Sequence, residues 1–154
     1  MPLAARVILT TYENLPALRL ALRGYLRQTT REFGITVADD GSGPETRAFV
    51  ADFRDEARQH GIEVASVWHP DRGFRRAAIS NLAVRHTQDE PLLIFADGDC
   101  IPPAHFVERH VAAHEPWSFH VAGAYRLGPE VSARITEADV DRGDFERLDE
   151  PEHH

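Results

Sequence analysis

Two aspartates one residue apart, Asp97 and Asp99, follow the apolar run L-L-I-F-A. A second pair, Asp39 and Asp40, ends another apolar run, I-T-V-A. Carboxylates brought close together repel one another, so their proximity calls for a cation or for shared protons. Oxygen ligands without a neighbouring histidine favour Mg²⁺ or Mn²⁺, and such an ion would in turn hold a phosphate-bearing ligand. The aspartates therefore predict metal-assisted binding of a phosphate-bearing molecule.

The elements that would position these carboxylates follow from the hydrophobic pattern. Short apolar runs alternate with segments in which apolar residues recur at helical spacing. The predicted strands are residues 7–9, 35–38, 64–68 and 92–96. Strands that alternate with helices at this interval indicate the α/β class, with a Rossmann-like, mostly parallel sheet and helices on both faces.

The ends of the predicted strands indicate where a ligand would bind. In open α/β sheets, ligands bind beyond the carboxyl ends of the strands, at a switch in strand order. Three of the four strands end in polar residues, at 10–13, 39–42 and 97–99. We expect these segments to converge on one cleft. The alternative for residues 39–42 is a plain turn and helix cap, because Asp, Gly and Ser favour such positions anyway.

Composition narrows the class of protein. A chain of 154 residues, 42% hydrophobic and 27% charged, fits one globular domain with a sizeable core. Cys100 is the only cysteine, which favours a reducing compartment. The sequence has no 18-residue apolar segment and no secretory signal, so a cytoplasmic protein is expected. A net charge of −8 argues against nucleic acid as a partner but leaves peripheral membrane association open.

Four motifs occur in order along the chain: V-I-L-T-T-Y-E-N at 7–14, V-A-D-D-G-S at 37–42, G-F-R-R-A-A-I-S-N at 73–81 and F-A-D-G-D-C-I-P at 95–102. Together they resemble the successive N-terminal motifs of family 2 glycosyltransferases, nucleotide-sugar-dependent enzymes of the GT-A fold. The last two are most similar to the branch that includes bacterial chondroitin-polymerase-type and galactosyltransferase-like enzymes.

The resemblance implies roles for individual residues. Asp97 and Asp99 match the D-x-D motif, in which the last aspartate binds Mn²⁺ or Mg²⁺ and the first lies near the ribose and the metal. Asp40 matches the residue that accepts a hydrogen bond from the donor's base, usually uracil. Thr10 and Tyr12 match the first-strand loop that flanks the base, where an aromatic ring can stack on it.

Arginines after the third strand are further candidates. Arg75 matches the position at which related enzymes place an arginine near the base or the phosphates. Arg72 and Arg76 extend this basic patch, and guanidinium groups suit phosphate oxygens. The alternative is the exposed start of a helix with ordinary surface arginines. Asp39 is ambiguous, because it could instead brace the turn in which it lies.

Histidine and cysteine supply other reactive groups. His110 and His114 stand at i and i+4, a spacing that metal sites use, but the glutamate of H-E-x-x-H is missing. We therefore interpret them as surface or helix-packing residues. Cys100 has no identifiable histidine partner and is interpreted as a small packing residue, not a nucleophile.

The expected function is transfer of sugar from a UDP-sugar to a hydroxyl acceptor on a glycan, by a single displacement with inversion. Residues 1–130 are predicted to form the nucleotide-sugar-binding domain. Residues 131–154 are predicted to form an acidic tail, in which 136–152 reads as a solvated or mobile helix. Family members continue into a part that supplies the acceptor site and the catalytic base. The base is therefore unknown, and we expect a fragment or a donor-binding half.

Two other functions fit parts of the pattern. A non-catalytic module that binds a nucleotide-sugar would need no base. An aspartate-nucleophile phosphatase also has an apolar run that ends in D-x-D, but it expects Thr or Val where this chain has Ile101. It also needs a lysine to balance the phosphate charge, and the sequence contains no lysine. The glycosyltransferase interpretation is the stronger one.

Overall fold

Strands and helices alternate up to residue 113 in the computed structural model, which describes residues 3–87 and 89–147. The strands are β1 (Ala5–Thr11), β2 (Phe33–Asp39), β3 (Glu63–Trp68) and β4 (Leu92–Asp97). The helices are α1 (Leu15–Leu26), α2 (Pro44–Gln59), α3 (Arg76–Arg85), α4 (Phe106–Ala113), α5 (Pro129–Arg134) and α6 (Glu137–Arg142), followed by a short 3-10 helix, Asp144–Arg147. Each predicted strand lies inside an observed one, so the predicted α/β class is confirmed.

The four strands are parallel and lie in the order β3-β2-β1-β4. The chain runs from β1 outward to β3 and then crosses to the other side of β1, so strand order switches between β1 and β4. The register pairs Thr10 with Asp97 and Thr11 with Asp39. Polar residues far apart in the sequence therefore meet at the switch point, where ligands bind in open sheets.

Helices cover both faces of the sheet, as the sequence predicted. Successive strand side chains point to opposite faces. Val7 and Leu9 accordingly join a core with α1, α2 and α4, whereas Ile8 joins a smaller core with Ile79 and Ala83 of α3. A fully buried Val, Leu or Ile side chain contributes about 1.5–3 kcal/mol. The buried central strands therefore hold the residues at their ends in fixed positions.

Local sequence signals set the helix ends next to the sheet. Asn14 caps α1, because its side-chain oxygen accepts a hydrogen bond of 3.4 Å from the Ala17 backbone N–H. Pro44 begins α2, where a missing N–H costs nothing. Gly61 follows α2 with φ +74°, a left-handed conformation that terminates helices and suits glycine. Pro44 and Gly61 therefore mark the two limits of α2.

The acidic C-terminal region packs against α1. Two nitrogens of Arg23 each donate a hydrogen bond of 2.7 Å to Asp141, and Val140 of α6 is fully buried. The described part of residues 136–152 is largely helical and mostly exposed, as predicted for a solvated helix, but Arg23 of α1 pairs with Asp141 and holds it against the domain. Residues 148–154 lie outside the described residues.

Residues 114–128 contain no helix or strand and expose large apolar side chains, among them Trp117. Trp68, the other tryptophan, ends the edge strand β3 and lies at the rim of the sheet. The predicted division between residues 1–130 and 131–154 stays a prediction. In the described part of the chain, no helix has the length and apolar character needed to cross a bilayer.

Candidate active site

A cleft of about 270 Å³ lies at the carboxyl ends of β1, β2 and β4, beside the start of α3. The predicted site residues that line it are Thr10, Tyr12, Asp40, Asp97 and Asp99. Arg75 does not line it, nor do the weaker candidates Arg72 and Asp39, whereas Arg76 does. The structure thus brings the strand ends together as the parallel topology requires.

The D-G-D turn is held against the end of β1. The Thr10 hydroxyl donates a hydrogen bond of 3.2 Å to Asp97 Oδ1, and the Gly98 N–H donates one of 2.7 Å to the Thr10 carbonyl. A Cβ at position 98 would lie 2.8 Å from that carbonyl oxygen. Glycine is therefore required here by the close approach of β1, and this approach fixes the turn that carries Asp97 and Asp99.

Asp97, Asp99 and Cys100 each offer a ligand atom within 4.8 Å of the others, the sole such triplet in residues 3–87 and 89–147. Burial, with the charges of Asp99 and Asp97 adding to it, raises the pKa of the Cys100 thiol. The thiol therefore stays protonated near neutral pH and is a weak ligand. The two carboxylates remain as hard oxygen donors, which fit Mn²⁺ or Mg²⁺.

Arg76, at the start of α3, contacts the carboxylate of Asp97. Its guanidinium donates to Asp97 Oδ1, and both side chains are about half exposed, at 48% and 45%. A cation therefore already lies beside the D-G-D turn, on a flexible side chain that can turn toward other oxygen acceptors. Arg75 contributes its backbone N–H instead, which donates a hydrogen bond of 2.8 Å to Asp40 Oδ2.

Asp40 lies behind the cleft surface and is only 4% exposed. Its second oxygen, Oδ1, lies 2.6 Å from Nε2 of His69. Both carboxylate oxygens therefore have protein partners. The sequence interpretation missed His69, although its position directly after β3 places it at the same sheet edge as Asp40.

Two neighbours of Asp40, the carboxylate of Asp39 and the ring of Tyr12, are also held in place. Asp39 Oδ1 accepts a hydrogen bond of 2.8 Å from the Ser42 N–H, which closes the turn after β2. The Tyr12 hydroxyl donates one of 3.0 Å to Asp71, and this bond, with the Asp71 charge, raises the pKa of Tyr12. Tyr12 is therefore a neutral phenol whose ring, 50% exposed, borders the cleft.

The histidine pair of α4 lies away from this cleft. The His110 ring packs edge-on against Phe106, with ring centroids 4.7 Å apart. Burial, with a smaller contribution from His120, lowers the pKa of His110. His110 therefore serves helix packing, which is the interpretation that the sequence favoured.

The profile of Glycosyl transferase family 2 matches residues 6–143. The chain belongs to this family. Two validoxylamine A glucosyltransferases, from Streptomyces hygroscopicus subsp. jinggangensis (strain 5008) and subsp. limoneus, are 33% identical to it over 110 residues. That alignment covers 70% of this chain and 25% and 23% of theirs, so the chain spans about a quarter of the length of these relatives.

Solved structures share the fold of this family 2 chain. S. aureus TarS is 21% identical, with a TM-score of 0.59 over 73% of this chain and 19% of its own. Mannosyltransferase PcManGT from Pyrobaculum calidifontis, in complex with GDP-Man and Mn²⁺, is 24% identical, with a TM-score of 0.57 over 68% and 30%. TarS 1–349 in complex with UDP has a TM-score of 0.55 at 20% identity, over 73% and 31%. The predicted GT-A fold and family are confirmed.

Proposed function

We propose that this family 2 chain binds a nucleotide-sugar, with a UDP-sugar as the expected donor, for transfer of the sugar to a hydroxyl group of a glycan. The observation that carries the proposal is the convergence of Tyr12, Asp40 and the D-G-D turn on one cleft at the β1/β4 switch. Each strand end supplies a different kind of contact: an aromatic face, an acceptor and a pair of metal ligands.

The base end of the donor would lie between Tyr12 and Asp40. The half-exposed ring of Tyr12 offers an apolar face for stacking, and Thr10 lies beside it on the same strand. Asp40 presents only acceptors when ionised, which suits the N3–H of uracil. TarS 1–349 has been solved in complex with UDP, which supports a uridine nucleotide as the first ligand to test.

The diphosphate end would lie at the D-G-D turn. Asp99 and Asp97 would hold Mn²⁺ or Mg²⁺, and PcManGT has been solved with Mn²⁺. A bound ion would supply positive charge that offsets the charge of the departing nucleoside diphosphate. Arg76, now on Asp97, would donate to a phosphate oxygen when that carboxylate is taken up by the ion, and Arg75 would add charge at the same edge.

The acceptor side of the reaction requires a catalytic base. Single displacement with inversion needs a base that removes the proton of the acceptor hydroxyl. None of the roles proposed above supplies that base, and the chain spans about a quarter of the length of its relatives. A non-catalytic donor-binding module is therefore the second candidate. We also propose a cytoplasmic location, supported by the single cysteine.

Calorimetric titration with UDP, GDP and their sugars, with and without Mn²⁺, tests the proposal. We expect Mn²⁺-dependent binding of uridine nucleotides by the wild type. Asp99→Ala should abolish the metal dependence, and Asp40→Ala should weaken the preference for uridine. Asp52→Ala, an exposed aspartate on α2, is the matched control. Unchanged binding in both cleft variants would contradict the proposal, and release of UDP from a UDP-sugar would separate the enzyme from the binding module.

A further inference from the structure

The loop from His69 to Arg75 is fastened at both ends to one carboxylate. His69 Nε2 lies 2.6 Å from Asp40 Oδ1 at the start of the loop, and the Arg75 N–H donates 2.8 Å to Asp40 Oδ2 at its end. The loop joins β3 to α3, and it carries Phe74 to the cleft. Asp40 is therefore the point to which this loop is anchored.

The middle of the loop is also fixed, against the turn after β2. Asp71 accepts the Tyr12 hydroxyl at 3.0 Å and the Gly73 N–H at 2.9 Å. A Cβ on Gly41, whose φ is +106°, would lie 2.6 Å from the Asp71 Cα. The loop thus lies directly on the glycine of the D-D-G-S turn. His69 is held in place by surroundings that leave its side chain 15% exposed.

The environment of Asp40 gives His69 a specific role. Asp40 is 4% exposed, and a buried carboxylate is costly unless hydrogen-bond donors satisfy its oxygens. With Nε2 of His69 at one oxygen and the Arg75 N–H donating to the other, the Asp40 carboxylate, whose oxygens are acceptors, keeps one orientation. An acceptor-only group attracts a base edge that carries an N–H. Uracil has a donor at N3, whereas cytosine, of the same size, has an acceptor there.

We propose that His69 is a positioning residue that sets the preference for uracil over cytosine by holding the Asp40 carboxylate in one orientation as an acceptor. This inference rests on the proposed function, because it assumes that the cleft binds the base beside Asp40. His69 need not touch the nucleotide. Its effect reaches the base through Asp40, so it should change base selection and leave diphosphate binding alone.

Calorimetric titration of the whole chain in Mn²⁺ with UDP, CDP and inorganic pyrophosphate tests this role. We expect the wild type to prefer UDP to CDP. His69→Ala should lose about tenfold in UDP affinity, the scale of one buried hydrogen bond to a charge, with no loss for pyrophosphate. His69→Gln, whose amide N–H can donate to Oδ1, should keep most of the UDP/CDP ratio. His60→Ala, an exposed histidine after α2, is the matched control.

Contrary results would separate the role of His69 from the proposed function. An unchanged UDP/CDP ratio in His69→Ala, or an equal loss for UDP and pyrophosphate, would overturn the role of His69 and leave the proposed function standing. A wild type without Mn²⁺-dependent nucleotide binding would overturn both. If His69→Ala does not fold, ¹⁵N NMR of the wild-type imidazole decides: we expect a proton on Nε2, and a neutral ring protonated only on Nδ1 would contradict the proposal.

Discussion

The two ends of the same sheet carry charged residues in opposite ways. At the amino end, Arg6 lies 2.9 Å from Glu63 and 2.6 Å from Glu90, and the side chains of Arg6 and Glu90 are each 4% exposed. At the carboxyl end, Asp97 is 45% exposed and Asp99 is exposed as well. Arg6 and Glu90 at the amino end are enclosed as a pair of opposite charges, whereas Asp97 and Asp99 at the carboxyl end face a cleft.

This difference separates structural charges from charges available to a ligand. Arg6 lies across β2 at Gly34. A Cβ at that position would lie 2.5 Å from the Arg6 guanidinium, so only glycine leaves room for this side chain. Removing one partner of a buried ion pair leaves an uncompensated charge and costs about 3–5 kcal/mol. Exposed carboxylates such as Asp99 contribute little to the stability of the fold. Replacing them should therefore change ligand affinity more than the free energy of unfolding.

The largest expected effect is at the amino end. Arg6→Met should lower the free energy of unfolding by about 3–5 kcal/mol, because the buried Glu90 carboxylate would lose both hydrogen bonds that Arg6 donates to it. Urea unfolding measures this loss. Arg58→Met, which removes an exposed pair with Asp55, should change stability by about 1 kcal/mol or less. Equal effects of the two substitutions would remove the distinction between enclosed and exposed charge.

A smaller effect on stability, coupled to binding, is expected for Gly98→Ala. The new Cβ would lie 2.8 Å from the backbone oxygen of Thr10, so the turn must shift, at a cost of about 1–3 kcal/mol. Because Asp97 and Asp99 move with the turn, Mn²⁺-dependent nucleotide binding should weaken too. Gly123→Ala, which has open space around it, is the control. Full binding by Gly98→Ala would show that the turn need not be fixed.

The smallest expected effect concerns Cys100. Its raised pKa leaves less thiolate at pH 8 than an ordinary cysteine has, so iodoacetamide should alkylate it several-fold more slowly than a free thiol. Asp97→Asn should speed the reaction about twofold or more, because one of the charges that raise the pKa is removed. Rapid alkylation of the wild type would indicate that the carboxyl end lacks the predicted negative field.

Much of the fold could be predicted because it depends on local signals. Apolar runs identified all four strands, and Pro44 and Gly61 set the limits of α2. The parallel topology that these imply also predicted that Asp40 and the D-G-D turn share one sheet edge. The four motifs resembled family 2, and the match over residues 6–143 confirmed that family.

Other features could not be predicted, because they depend on contacts between residues distant in the sequence or on which of two adjacent residues faces the cleft. His69 meets Asp40 only because β2 and β3 pair with Asp39 opposite Trp68. The docking of the acidic region depends on Arg23 finding Asp141 across 118 positions. Composition alone could reveal neither contact. Arg75 and Arg76 differ by one step at the start of α3, and that step decides which side chain reaches the cleft.

The central claim is that the carboxyl-end aspartates serve a ligand and the amino-end charges serve the fold. Thermal unfolding of the wild type, Asp99→Ala and Asp52→Ala, each with and without UDP and Mn²⁺, tests it most directly. At about 100 times the dissociation constant, UDP with Mn²⁺ should raise the Tm of the wild type and Asp52→Ala by about 5–10 °C. Asp99→Ala should melt like the wild type without ligand and show no such rise. A lowered ligand-free Tm with the rise intact would contradict the account.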